Sequence, residues 1–379
     1  MSRKLPVLST VAVLMGGAAW ADVPNVAVDI APVHSLVARV MDGVGTPALI
    51  VPPGASPHEY NLRPSEAQAL QDADVVFWVG EDLTPWLEGA VETLAENAAV
   101  LALLEAQGTT LLDFREDALF EAHVHGDEKH GEDAHEDHAH DDHDGHDHDE
   151  HDHDGHGEGE HAHDDHAHEE HGHAHEEHDH AHGDHGHGDE YAHDDHDAHD
   201  HDKDEAHAHG AHDPHAWLSL ENADLWLNLI AAKLASSDPD NLDTYFANAT
   251  AARADIAALK AEINAALDPV RGGRFIVFHD AYQYFEASFD MPASGAISLS
   301  DATDPSPARI AEIQGRIREE GIDCVLAEPQ FNSGLVATVL DGTQAQTGVI
   351  DPLGAALEPG ADLYPQLIRN MAETLADCL

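Results

Sequence analysis

The sequence predicts an α/β protein of two lobes, each with a mainly parallel sheet flanked by helices, the two joined by one long helix. Three observations carry this. Short β-branched runs alternate with longer helical ones, the pattern of parallel strands with crossover helices. The alternation occurs twice, on either side of a histidine-rich tract. An alanine-rich stretch of 26 residues, Leu242 to Leu267, lies between the two sets and contains neither Pro nor Gly, so it reads as a single uninterrupted helix.

The elements follow in order. Arg3 and Lys4 precede an apolar run from Leu5 to Ala19, and Ala19-Trp20-Ala21 places small residues where a signal peptidase reads. Residues 1–21 are expected to be a cleaved signal peptide, with Asp22 as the mature N-terminus. The apolar run is shorter than the roughly 20 residues that a spanning helix needs, and the mature chain is expected in the periplasm. Residues 22–238 form the expected N-terminal lobe, with strands at Asn25–Ile30, Ala48–Val51 and Asp74–Val79 and helices near His34–Asp42, Pro64–Asp72 and Pro85–Glu96. Residues 239–268 form the linking helix, with apolar residues at helical spacing (Phe246, Ala249, Ala252, Ile256, Leu259, Ile263, Leu267). At 1.5 Å per residue it runs about 39 Å, enough to cross from lobe to lobe. Residues 269–379 form the C-terminal lobe, with strands at Arg274–Phe278, Ala296–Ser298 and Asp323–Ala327 and a fourth near Gly348–Ile350.

The tract from Glu121 to Asp213 is an insertion in the first lobe. It holds 35 acidic residues against Lys129 and Lys203, a balance of −33 within a chain of formal charge −59, and 31 of the chain's 35 histidines. With few aliphatic residues beyond alanine, it has too little to bury to offset the entropy of ordering, and it is expected to be disordered. As a flexible coil it spans about 50 Å on average. Patterns such as His161-Ala-His163 and His171-Gly-His-Ala-His175 offer interchangeable imidazoles between acids, suited to several weak, mobile zinc sites. So acidic a chain repels nucleic acid, which excludes a DNA or RNA partner.

Cys324 and Cys378 are the only cysteines. Export to an oxidising compartment favours one disulfide between them, pinning the C-terminal residues to the second lobe; a cysteine metal ligand is the competing reading.

Outside the tract, His58, His215 and His279 lie in loops or at strand ends, where α/β proteins place ligands. Each has a carboxylate within two residues, able to fix a ligating imidazole or to raise the local negative potential. Alone, each is a weak signal. Drawn from separate segments of two lobes, the three together suit a tetrahedral Zn²⁺ with a fourth place for carboxylate or water.

The segments Gly54-Ala-Ser-Pro-His-Glu-Tyr-Asn-Leu-Arg-Pro-Ser65, Asp74 to Gly80, Asp213-Pro-His-Ala-Trp217, Phe278-His-Asp-Ala-Tyr282, Ala327-Glu-Pro-Gln330 and Asp351-Pro-Leu353 closely resemble the ZnuA family. These are the substrate-binding components of zinc ABC importers, two α/β lobes joined by a rigid helix. The acidic histidine-rich insertion and the cysteine pair are also typical of the family. The resemblance implies His58, His215 and His279 as zinc ligands, an inner-membrane ABC permease as partner and a monomeric protein. A histidine at the third position favours zinc, since manganese- and iron-binding relatives tend to carry a carboxylate there. Some zinc-binding relatives place glutamate before the first ligand histidine, and here that residue is Pro57. The fourth ligand is therefore open among water, Asp351 and Glu59, in that order.

The expected function is capture of Zn²⁺ for an importer, without catalysis, with the tract as a low-affinity collector or sensor. A periplasmic zinc buffer or chaperone without a transporter is the alternative. A zinc hydrolase is the distant third, since no His-Glu-x-x-His helix or nucleophile elbow is present.

Overall fold

In the first sheet, strands β1 (Val26–Val28), β2 (Ala48–Leu49), β3 (Val75–Trp78) and β4 (Ala99–Ala102) run parallel in the order β2-β1-β3-β4. The structure, a computed structural model, describes residues 23–115, 120, 212–298 and 305–379. Helices α1 (Ala31–Val40), α2 (Pro64–Gln71) and α3 (Pro85–Leu94) connect the strands, each opening on a proline in its first turn or just inside it, where the missing N–H costs nothing. Strand β4 was not expected: Ala99-Val-Leu-Ala102 has one β-branched residue and no turn signal before it. It adds to the sheet because β3, buried at all four positions, offers an unpaired edge.

After the insertion, α4 (Leu220–Ser237) begins with the Ser219 side chain accepting from Asn222 N–H, and α5 (Leu242–Leu267) follows. The second sheet repeats the first. Strands β5 (Phe275–His279), β6 (Ala296–Ser298), β7 (Cys324–Ala327) and β8 (Gln346–Val349) run parallel in the order β6-β5-β7-β8. Helices α6 (Gln283–Phe289), α7 (Pro307–Glu320), α8 (Ser333–Leu340) and α9 (Leu363–Cys378) complete the lobe. The repeat extends to detail: the Asp74 carboxylate accepts Asn25 N–H at 2.8 Å where β1 begins, and the Asp323 carboxylate accepts Arg274 N–H at 3.1 Å where β5 begins.

In both sheets the chain reverses direction beside the first strand, between β1 and β3 and between β5 and β7, and ligands of open α/β sheets lie beyond the strand ends at such points. Helix α5 links the lobes, packing on α1 and α4 of the first and α9 of the second. Its buried stripe is Tyr245, Ala249, Ala252, Ile256, Leu259, Ile263 and Leu267. Tyr245, not Phe246, opens the stripe. The step from 245 to 249 keeps the alternation of three and four residues, and the tyrosine hydroxyl donates to Asp238 at 2.8 Å, so it can be buried whole while Phe246 faces solvent.

Among the described residues no helix is long and apolar enough to cross a membrane. The expected signal peptide, residues 1–21, and the expected disorder of the insertion fall on residues outside those described, except at the insertion's end, where His212 and Asp213 are ordered and pair with Asp113 and Leu112.

Cys324 on β7 and Cys378 at the end of α9 form a disulfide, and both are buried. The bridge closes a separation of 54 residues, which loop-closure entropy values at about 4 kcal/mol. Urea unfolding of the C324S/C378S variant is expected to give a stability lower by that amount.

Candidate metal centre

His279 is the last residue of β5, and its position follows from the strand's alternation. Phe278 packs into the core beneath α7 and α8, so the next side chain leaves on the other face, toward the cleft. Its Nδ1 lies 2.7 Å from Glu328 Oε1, just beyond β7, and the same oxygen accepts the His279 backbone N–H at 3.3 Å. His215 stands in the segment between the insertion and α4. Its Nδ1 lies 2.7 Å from Asp213 Oδ1, which also accepts the His215 backbone N–H at 3.0 Å. A carboxylate only accepts, so in each pair Nδ1 carries the proton and Nε2 presents a lone pair. His58 lies in the long connection between β2 and α2, its backbone N–H donating to Ser56 Oγ at 3.2 Å.

Ring nitrogens of the three histidines converge. His58 and His215 bring their Nε2 atoms to 3.3 Å, and the His215 ring lies 5.3 Å from each of the other two, centroid to centroid. One ligand nitrogen from each of the three lies within 4.8 Å of the others, and they form the only such group of His, Cys, Asp or Glu among the described residues. His215 and His279 are buried and His58 half-buried. Between them is a cavity of about 20 Å³, as traced by the centre of a water molecule, closed by Trp217, Phe331, Pro352 and Leu353. That is room for one small particle. Three imidazole nitrogens beside an apolar wall suit a borderline-soft divalent ion.

The segment carrying His215 is held by both lobes. Trp217 Nε1 donates to Pro352 O at 2.9 Å, the Tyr284 hydroxyl donates to Asp213 O at 2.8 Å, and the Gln283 amide donates to Asp213 Oδ2 at 3.2 Å. Burial would push the Asp213 carboxyl up, but His215, through its charge and hydrogen bonds, outweighs this and holds it below the ordinary carboxylate range. Both stems of the insertion meet here, since Asp113 bridges His212 and Asp213 N–H donates to Leu112 O at 2.8 Å.

Neither other protein candidate for a fourth ligand joins the group. Asp351 is engaged by backbone, its Oδ1 accepting the N–H groups of Leu353 and Gly354, both at 3.0 Å, and its Oδ2 that of Ala355 at 2.6 Å. Glu59 is exposed. His34, the remaining histidine outside the tract, lies on α1 with Nε2 at 3.0 Å from Pro47 O, away from the cavity.

The carboxylate supporting His279 is Glu328, and sequence neighbours pointed instead to Asp280. Asp280 leaves the strand on the opposite side and pairs with Arg115. The available signal was the position of Glu328 directly after β7, beside the end of β5. Glu328→Ala is expected to weaken metal binding about 10- to 100-fold, since it frees the His279 ring and its tautomer; a competitive zinc titration measures it.

The description "Zinc-uptake complex component A periplasmic", that of the ZnuA family, matches residues 26–378. The chain is 45% identical over 355 residues to the high-affinity zinc uptake system protein ZnuA of Brucella abortus (strain 2308), covering 94% of this chain and 91% of that protein. It is 43% identical over 362 residues to the protein of the same name from Paracoccus denitrificans (strain Pd 1222), covering 95% and 93%. A crystal structure of ZnuA superposes with a TM-score of 0.62 at 19% identity, covering 94% of this chain and 99% of that one, a likeness that bears on the fold.

Proposed function

The chain belongs to the ZnuA family, and from that premise we propose that it is an exported periplasmic protein that captures Zn²⁺ and delivers it to an inner-membrane ABC permease. The convergence of one ring nitrogen from each of His58, His215 and His279 on one small cavity carries this reading. Zinc enters between the lobes, is bound by the three imidazoles with water in the fourth place, and leaves when docking on the permease opens the site. No reacting group is needed. Nanomolar binding corresponds to about −12 kcal/mol, within reach of ligands already oriented by Asp213 and Glu328.

The histidine-rich tract is then an accessory, a collector of zinc at higher concentration or a sensor of excess. Its two stems pair at Asp113 and His212, close in sequence to His215, which supports the accessory role. The test is a competitive zinc titration of mature protein lacking residues 121–210, with growth of the corresponding strain under zinc starvation. One tight site retained without the tract, together with growth that depends on the protein, supports import. Loss of tight binding with the tract alone would make the insertion the receptor and the three-histidine reading wrong. Tight binding without any growth defect would favour a zinc buffer.

A further inference from the structure

Gln330 lines the same cavity as the three histidines, and the chemistry of a metal site gives it something to do. Its Nε2 donates to Asp351 Oδ1 at 3.3 Å. That orientation is forced: the Asp351 carboxylate only accepts, so the amide must turn its NH₂ toward it. The carboxylate is in turn fixed by three backbone N–H groups, those of Leu353, Gly354 and Ala355. The amide is therefore held from behind, and its carbonyl oxygen faces the other way. That oxygen, Oε1, is buried and has no hydrogen-bond partner among the described residues.

A buried carbonyl oxygen without a donor is costly, and such groups in folded proteins call for an explanation such as an absent water or ion. Here the missing donor is supplied by the proposed site itself. Three imidazoles leave a fourth position on tetrahedral zinc, and the water filling it is a strong donor because the metal withdraws charge from it. Neither Glu59 nor Asp351 belongs to the group that converges with the histidines.

We propose that Gln330 positions the fourth ligand of the bound zinc, its Oε1 accepting a hydrogen bond from the zinc-bound water while Asp351 holds the amide in place. This rests on the three-histidine reading. It assigns Asp351 a role one step removed from the metal: the carboxylate orients the glutamine rather than touching the ion. The site thereby keeps an exchangeable neutral ligand in the fourth place, which suits a protein that must give its metal up.

The test uses the full mature chain against a competing chelator strong enough that only the tightest site reads, with the visible spectrum of one equivalent of Co²⁺ as a report on coordination. Gln330→Met keeps the side chain's length and removes the acceptor. This variant is expected to bind zinc about tenfold more weakly, the scale of one ordered hydrogen bond, with a shifted Co²⁺ band. Parent-like affinity and spectrum in Gln330→Met overturn the proposal, as does a loss of affinity with an unchanged Co²⁺ band, which would place the effect away from the coordination sphere. His215→Asn, assayed alongside, separates the two levels: if it leaves tight binding intact, the three-histidine site itself fails, whatever Gln330 does.

Discussion

Replacing His215 is expected to reduce zinc affinity on the order of a thousandfold, about 4 kcal/mol, the largest effect of any single change at the site. His215 is the middle member of the group, equidistant in ring separation from His58 and His279 and in nitrogen contact with His58. Without it the two remaining imidazoles come from different lobes and share no third ligand. The choice of substitution matters because Asp213 is 1% exposed and depends on the histidine for its partner. Alanine removes a ligand and also strands a buried carboxylate, whereas asparagine places an amide N–H near the position of Nδ1 and keeps Asp213 satisfied. His215→Asn is thus expected to lose zinc affinity as fully as His215→Ala while melting closer to the parent. Titrations should be made without residues 121–210, so that weak sites in the tract do not refill the signal. Retained tight binding in both variants would remove His215 from the ligand set.

The three histidines that converge were legible in the sequence but their supports were not, for a physical reason. His58, His215 and His279 stand out once the tract is set aside, because few histidines remain and these occupy loops and strand ends. Their supporting carboxylates depend on strand pairing. Glu328 reaches His279 across 49 residues of sequence because β5 and β7 are neighbours, and nothing local to His279 announces it. Asp213 was visible because it lies two residues from His215, but Asp280, nearer still to His279, is carried to the opposite face by the strand's alternation. Gln330 was visible only within the Ala327-Glu-Pro-Gln330 motif, with no role attached. The fold shows the same division. The long helix α5 was legible to its ends from periodicity and absence of Pro and Gly, yet one residue of its buried stripe was misassigned because a tyrosine with a hydroxyl partner is as buriable as phenylalanine. Strand β4 was missed because its identity lies in the edge it meets.

Removing Arg115 is expected to cost about 3–5 kcal/mol of stability, the scale for breaking a buried ion pair on one side. The guanidinium closes the stem of the insertion onto the second lobe. Its Nε donates to both oxygens of Asp280 at 3.0 Å, Nη1 and Nη2 donate to Glu286 at 2.9 Å, and its Nη2 also meets Asp280. Asp280 and Glu286 are buried, and Phe120 covers the guanidinium from 3.6 Å. In Arg115→Met the two carboxylates stay buried, near Asp213, without a cation. The pH dependence follows. The Asp280 carboxyl is raised from 3.8 to about 6, chiefly by burial, with Arg115 holding it down and Asp213 and Glu286 adding to the rise. A carboxyl raised in the folded state supports folding fully below its unfolded value and loses that support as pH climbs through the folded one. Without Arg115 the folded value moves higher still, and the loss continues above pH 6. The deficit of Arg115→Met should therefore be larger at pH 8 than at pH 5, with a fall in melting temperature of about 10 °C at the higher pH. Thermal unfolding of parent and variant at both pH values measures this. An equal deficit at both would mean that Asp280 and Glu286 reach solvent once released.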